Sequence, residues 1–366
     1  MILHHNTYVT LPGNAPWLTK AFSALWVRVG WMGVDLFFVL SGFLISGLLY
    51  GEHKKYGSID LKRFFIRRGL KIYPPFYAML AVTLVTAVLV DIGRSTNLSR
   101  VLPELFFVQN YFDPVWGHTW SLAVEEHFYI LLGLSIYLIL RRSGGEKDPF
   151  AVLPKAFLVI ALAVLAMRIW KSPYTYGKTH FRLDSLLFGV ILSYYYNYHH
   201  DGFVSIIRRL RRPVLWGGLC LVSIVCISGR GGITPTIGFS LLYIGFGALL
   251  MLSVIFPVPE TGSVGAAVRV LAGIGAYSYS IYLWHCAVGQ WTPIFKRLVL
   301  GGGLNWYAFM AFYVPASVLV GIGMAKLVEY PFLRLRDRWY PSRSRALDSR
   351  ESGDSVPDGA TASRAS

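Results

Sequence analysis

Residues 29–50 read VGWMGVDLFFVLSGFLISGLLY. Two side chains here are ionisable, Arg and Lys being absent: only Asp35 and, weakly, Tyr50. A helix rises ~1.5 Å per residue, so a run of this length covers the ~30 Å hydrocarbon layer of a bilayer. Backbone groups find no water there, which leaves a helix as the suitable element. Comparable runs follow at 74–92, 120–140, 151–170, 181–197, 214–229, 235–256, 271–291 and 306–328. The chain therefore reads as all-α, a polytopic integral membrane helical bundle with nine visible spans. The segment 98–112, LSRVLPELFFVQNYF, is apolar but short and reads as an interfacial or re-entrant helix.

A hydrophobic share of 54% and a mean hydropathy of +0.49 across 366 residues agree with one membrane domain rather than several soluble ones. The net charge of +16 raises the question of nucleic acid. The placement of the charge answers it, because the basic residues sit in short loops between apolar runs. Loop 51–73 holds Lys54, Lys55, Lys62, Arg63, Arg67, Arg68 and Lys71; 141–150 holds Arg141, Arg142 and Lys147; 198–213 holds Arg208, Arg209, Arg211 and Arg212. The stretch after 328 adds Arg334, Arg336, Arg338, Arg343 and Arg345. Alternating spans put all four segments on one side. That side is the cytoplasm, with the C-terminus, in a multi-pass protein of the inner or plasma membrane. Residues 341–366, rich in Ser, Asp, Gly and Arg, read as a disordered cytoplasmic tail. Cys220, Cys226 and Cys286 lie inside apolar runs at no metal-ligand spacing and read as buried free thiols, so no metal is expected.

An ionisable side chain inside a span is costly and points to function. With this topology, Asp35, Glu125 and Glu126 lie about two turns in from the outer face. Arg182 and Asp184 open their span there, and His285 lies in its outer half. His4 and His5 also fall on the outer side. Carboxylates, histidines and an arginine thus share one depth. Plainer readings stand beside each. Asp35 pairs with an arginine, Arg182 being the candidate, for structure alone; Glu125 and Glu126 are solvated at the interface; His285 bonds a neighbouring helix; His4 and His5 form an exposed start. On the other side, Arg63, Arg67 and Lys71 recur every four residues and form one helical stripe, with Arg68 beside it. The stripe suits either membrane anchoring or a phosphate clamp. No Walker-type loop and no GxGxxG after a strand is present.

Five segments resemble the acyltransferase 3 family of integral membrane O-acyltransferases. They are GVDLFFVLSGFLIS at 33–46, RRGLKIYP at 67–74, WSLAVEEHFY at 120–129, FRLDSLLFG at 181–189 and YSYSIYLWH at 277–285. Lys71 stands where that family usually has Arg, and His127 where it usually has Gln. The resemblance implies one acyltransferase domain over 1–340. It also implies ten spans, the first carrying Arg, ten residues, then His. His4 matches that His and the Arg would precede Met1, so a truncated first helix is expected.

The implied reaction moves an acyl group, expected to be acetyl, from acyl-CoA to a hydroxyl. The acceptor is a carbohydrate, a glycolipid or a small molecule of macrolide type. Acyl-CoA is a donor substrate, and no permanently bound cofactor is expected. On this reading His4 is the base and Glu125 orients or charge-stabilises it. His5, Asp35, Trp120, Ser121, Glu126, Arg182, Asp184, Tyr282 and His285 support the acceptor side. Arg63, Arg67, Arg68 and Lys71 hold acyl-CoA. A polymeric acceptor would call for a separate partner protein. Two other readings remain: a transporter or flippase using the intramembrane charges as a path, and a non-catalytic descendant of the enzymes.

Overall fold

The computed structural model describes residues 2, 4–5, 9–89, 98–144, 146–172, 176–257, 261–299 and 305–341. Of the expected tail, 341–366, all but Pro341 lies outside them. Fourteen α-helices follow in order: α1 Trp17–Val29, α2 Gly33–Tyr56, α3 Leu61–Leu89, α4 Leu98–Leu105, α5 Trp120–Arg142, α6 Leu153–Lys171 and α7 Leu183–Tyr198; then α8 His200–Arg209, α9 Arg211–Ser228, α10 Phe239–Ile255, α11 Gly262–Ala276, α12 Ser278–Val299, α13 Trp306–Met324 and α14 Tyr330–Trp339.

The protein is an all-α polytopic helical bundle. Among the described residues, seven helical runs are long and apolar enough to cross a membrane, or eight if α11 and α12, bent by 71°, form one span. The remaining run of the sequence reading, 181–197, is α7, whose 16 residues rise only ~24 Å. The short apolar segment at 98–112 is the helix α4 followed by turns, too short to cross.

Three elements differ from the sequence reading. The helical run beginning at 29 starts twelve residues earlier, at Trp17, because α1 continues into α2 through a 3-10 turn at Gly30–Met32. The span read as beginning at 74 begins at Leu61, so the helical basic stripe and the apolar run are one helix. Asp60 Oδ1 accepts from the Arg63 backbone N–H at 2.9 Å and caps α3, which then runs through Pro74 and Pro75. The last span continues through a π-turn at Ala325–Glu329 into α14.

α2 and α7 are the centre of the bundle. Gly42 and Gly189 face each other's helix so closely that a Cβ on either would strike backbone atoms of Leu186 or Val39. Small residues allow this approach where helices pack by van der Waals contact. Around the pair, Phe38, Phe76, Phe128, Leu186 and Leu283 join α2, α3, α5, α7 and α12 into one apolar core. Two ion pairs cross it. Arg182 meets Asp35 at 2.5 Å, and Arg168 of α6 meets Asp184 of α7. All four side chains are buried, as charges in a membrane must be when they are paired.

Candidate active site

α3, α5 and α12, with α2 and α11, line a partly open cavity of about 440 Å³. Arg68 and Lys71 stand on its α3 wall, Ser121, Glu125 and Tyr129 on α5, and Tyr282 and His285 on α12. Val34, Phe37, Leu122 and Ile281 supply apolar lining. Part of each constellation thus opens into one chamber: Arg68 and Lys71 from the basic segment, and Ser121, Glu125, Tyr282 and His285 from the polar outer cluster, while His4 and His5 are not among the lining residues.

Glu125 is fixed on both sides. Its Oε1 accepts from Ser41 Oγ at 2.6 Å and from the Tyr129 hydroxyl. Among the described residues it hydrogen-bonds neither His4 nor His5, so the expected His4–Glu125 pairing is not formed. The Tyr282 hydroxyl donates to the His118 carbonyl and lies 2.7 Å from Ser121 Oγ, which joins α5 to α12. Glu126 points away from this chamber and accepts from Tyr73 at 2.9 Å.

The histidines resolve by their hydrogen bonds. His285 Nδ1 lies 2.7 Å from the Tyr282 carbonyl and must donate to it, so Nε2 carries the lone pair. His5 Nδ1, 2.8 Å from that Nε2, is then the donor. His5 Nε2 is left with a lone pair. His4 differs: Nδ1 donates to the Val27 carbonyl at 3.1 Å and Nε2 accepts from Arg230. Both its ring nitrogens are engaged. Burial first, then the Arg230 charge, lower its pKa to about 4. Burial, His285 and His4 lower that of His5 to about 2.

Several expected site residues serve the frame instead. Asp35, Arg182 and Asp184 lie in the two ion pairs and do not line the cavity. The Arg182 guanidinium stacks 3.8 Å from the Phe239 ring centre and 5.6 Å from that of Trp120. Arg67 turns outward to Asp337, 3.3 Å away, and to the Tyr340 carbonyl. Arg63 also lies outside the chamber, so Arg68 and Lys71 are its basic pair. His127 Nδ1 meets Thr179 Oγ1 at 2.7 Å and steadies the 3-10 turn leading to Arg182.

Sequence reasoning missed His118, Arg230 and Glu104. The His118 ring centre lies 5.2 Å from that of His285, and its Nε2 is 3.3 Å from the Leu283 carbonyl. Glu104, in α4, accepts from the Trp116 backbone N–H at 2.9 Å and Thr119 Oγ1 at 3.0 Å, fixing the turn that carries His118. Burial raises its carboxyl to about 7, against those hydrogen bonds. Its place in the segment 98–112, between two spans, was the available signal. Cys286 Sγ lies 3.4 Å from His285 Nε2. His5, His285 and Cys286 bring three donor atoms within 4.8 Å of one another, close enough to hold an ion. The tautomers above give the ring-to-ring contact a hydrogen-bond account.

A family model described as "Acyltransferase domain" matches residues 1–326. The peptidoglycan O-acetyltransferase OatA of Listeria monocytogenes is 28% identical over 295 residues, covering 71% of this chain and 45% of the relative. A putative O-acetyltransferase of Staphylococcus aureus is 30% identical over 290 residues, covering 72% and 46%. The O-acetyltransferase OatA of Staphylococcus aureus is 28% identical over 287 residues, with the same coverage of 72% and 46%. The matched part spans a little under half the length of these relatives. No solved structure matches the chain.

Proposed function

The chain belongs to the acyltransferase family whose model spans residues 1–326, and on that premise we propose that it moves an acyl group from acyl-CoA to an acceptor hydroxyl. The acyl group is acetyl and the acceptor a carbohydrate of the cell envelope. The relatives' names, O-acetyltransferase and peptidoglycan O-acetyltransferase, support both choices. The cavity carries the proposal: one chamber joins Arg68 and Lys71 to Glu125, Ser121, Tyr282 and His285. Guanidinium and ammonium groups suit the phosphates of CoA. Segments rich in Lys and Arg between the apolar runs support an orientation of their end of the chamber, and of the C-terminus, to the cytoplasm where acyl-CoA is found.

His5 is the base in this mechanism. Its Nδ1–H is held by His285, and His285 is held by the Tyr282 carbonyl. The pair fixes the tautomer of His5 much as a carboxylate does for a catalytic histidine. His5 Nε2 takes the acceptor's hydroxyl proton as the oxygen attacks the thioester carbonyl carbon. The new C–O bond forms, the C–S bond breaks, and the proton passes to the departing thiolate to give an ester and free CoA thiol. Glu125 supplies a carboxylate in the wall that Arg68 and Lys71 share. His4, its ring centre 5.2 Å from that of His5, ties Arg230 to the Val27 carbonyl. A polymeric acceptor would be presented by a separate partner protein.

The test supplies membranes holding the full chain with radiolabelled acetyl-CoA and, separately, a cell-envelope fraction and a hydroxylated small-molecule extract. Label in an alkali-labile ester of the envelope fraction is expected. Label confined to the extract would move the acceptor to a small molecule. Uptake of a solute by vesicles with no ester formed would contradict acyl transfer and favour a transporter.

A further inference from the structure

α8 links α7 to α9, and its ten residues extend only ~15 Å, half the thickness of the hydrocarbon layer. It cannot cross the membrane, yet its orientation is fixed. Just before it, the Tyr194 hydroxyl donates to Asp148 Oδ2 at 2.7 Å, and His199 Nε2 lies 3.6 Å from the same oxygen. Within it, Val204 is buried. Its other faces therefore point in set directions.

The side chains of α8 and of its junction with α9 form an unusual combination. Ile206 and Leu210, one turn apart, are 56% and 44% exposed. Arg208, Arg209 and Arg212 are exposed as well, and among the described residues none has an acidic group within 4.0 Å. The fourth arginine, Arg211, is engaged with the Phe256 ring, 4.6 Å from its centre. Apolar side chains beside guanidinium groups that form no ion pair, with Asp201 sharing the recess of Arg208 and Arg209 beyond ion-pair distance, match at this junction of two membrane helices the boundary between acyl chains and headgroups. Phosphate accepts from guanidinium in bidentate fashion.

We propose that α8 and its junction with α9 lie in the membrane interface and bind anionic phospholipid, with Ile206 and Leu210 in the acyl layer and Arg208, Arg209 and Arg212 on headgroup phosphates. This is independent of the acyl-transfer reading.

The test titrates the full detergent-purified chain with phosphatidylglycerol and phosphatidylcholine of equal chain length, read by native mass spectrometry. Each basic residue near an anionic surface strengthens binding severalfold, so a preference of about tenfold or more for phosphatidylglycerol is expected. Arg208→Gln, Arg209→Gln and Arg212→Gln together should remove most of it, and Lys at the same positions should retain it. Glycerophosphate, the headgroup without tails, should not compete. Equal binding of the two lipids, full preference in the Gln variant, or displacement by glycerophosphate would overturn the proposal. If the Gln variant fails to fold, Ile206→Ser with Leu210→Ser decides: unchanged affinity for phosphatidylglycerol would equally overturn it.

Discussion

His5 Nδ1 lies 2.8 Å from His285 Nε2, across 280 positions of sequence. Because His285 Nδ1 already donates to the Tyr282 carbonyl, the direction of each hydrogen bond in the row follows. The row ends at a His5 nitrogen with a lone pair; His285, its partner, lines the cavity that also holds Arg68 and Lys71, whereas His5 itself is not among the lining residues. A base and an anion-binding wall are what acyl transfer from CoA requires.

The first consequence separates two adjacent histidines. Loss of a general base costs about 10²–10⁴-fold in rate, so His5→Ala should lower ester formation by that much. His4→Ala, which removes a partner of Arg230 and of Val27, should cost far less. Initial rates at matched protein level distinguish them, and a larger loss in His4→Ala would reverse the assignment.

A pH profile follows from the same rings. Both folded-state pKa values are depressed, His4 to about 4 and His5 to about 2, so both rings stay neutral well below the ordinary 6.5. The base form is then present throughout the neutral range and is lost only as pH falls toward those values. The acid limb of kcat/KM should therefore lie below about pH 5. A limb centred near 6.5 would show that the histidine titrates as if solvated.

The basic residues of α3 should divide by the direction they face. Arg68 lines the cavity, whereas Arg67 is tied to Asp337. A hydrogen bond to a charged group contributes ~1.5–3 kcal/mol, so Arg68→Gln should raise KM for acyl-CoA about tenfold or more. Arg67→Gln should leave KM nearly unchanged. Equal effects on KM would mean that the stripe acts as a diffuse charge.

Asp35 and Arg182 should matter as a pair. Breaking a buried ion pair costs ~3–5 kcal/mol because it strands the other charge, so Asp35→Ala should be strongly destabilised. Asp35→Leu combined with Arg182→Met should recover most of that loss. Thermal unfolding in detergent measures both, and a double variant no better than the single one would show that the charges do more than compensate each other.

Much of this was legible in the sequence. The apolar runs named all the helices that cross the core, since a membrane imposes one length and one backbone solution. Asp35, the one charged side chain in its run, pointed to a partner, and Arg182 is that partner. Arg168 was not legible: it sits near the end of α6, where an arginine reads as an anchor, and only packing brings Asp184 against it. Local pattern also misjudged the Pro74–Pro75 pair, which suggests a helix start, although α3 begins at Leu61. The roles of His4 and His5 are adjacent in sequence and differ only in which side chains their rings meet. His118 carried no local signal, because its neighbourhood with His285 depends on Glu104 holding the intervening turn.

The most direct test of the account is the rate of acetyl ester formation from radiolabelled acetyl-CoA in membranes holding either the wild-type chain or His5→Ala, with the envelope fraction as acceptor. Alkali-labile label that appears with the wild type and falls to background with the variant is the predicted result. Equal label from both would contradict the assignment of the base to the His5–His285 pair.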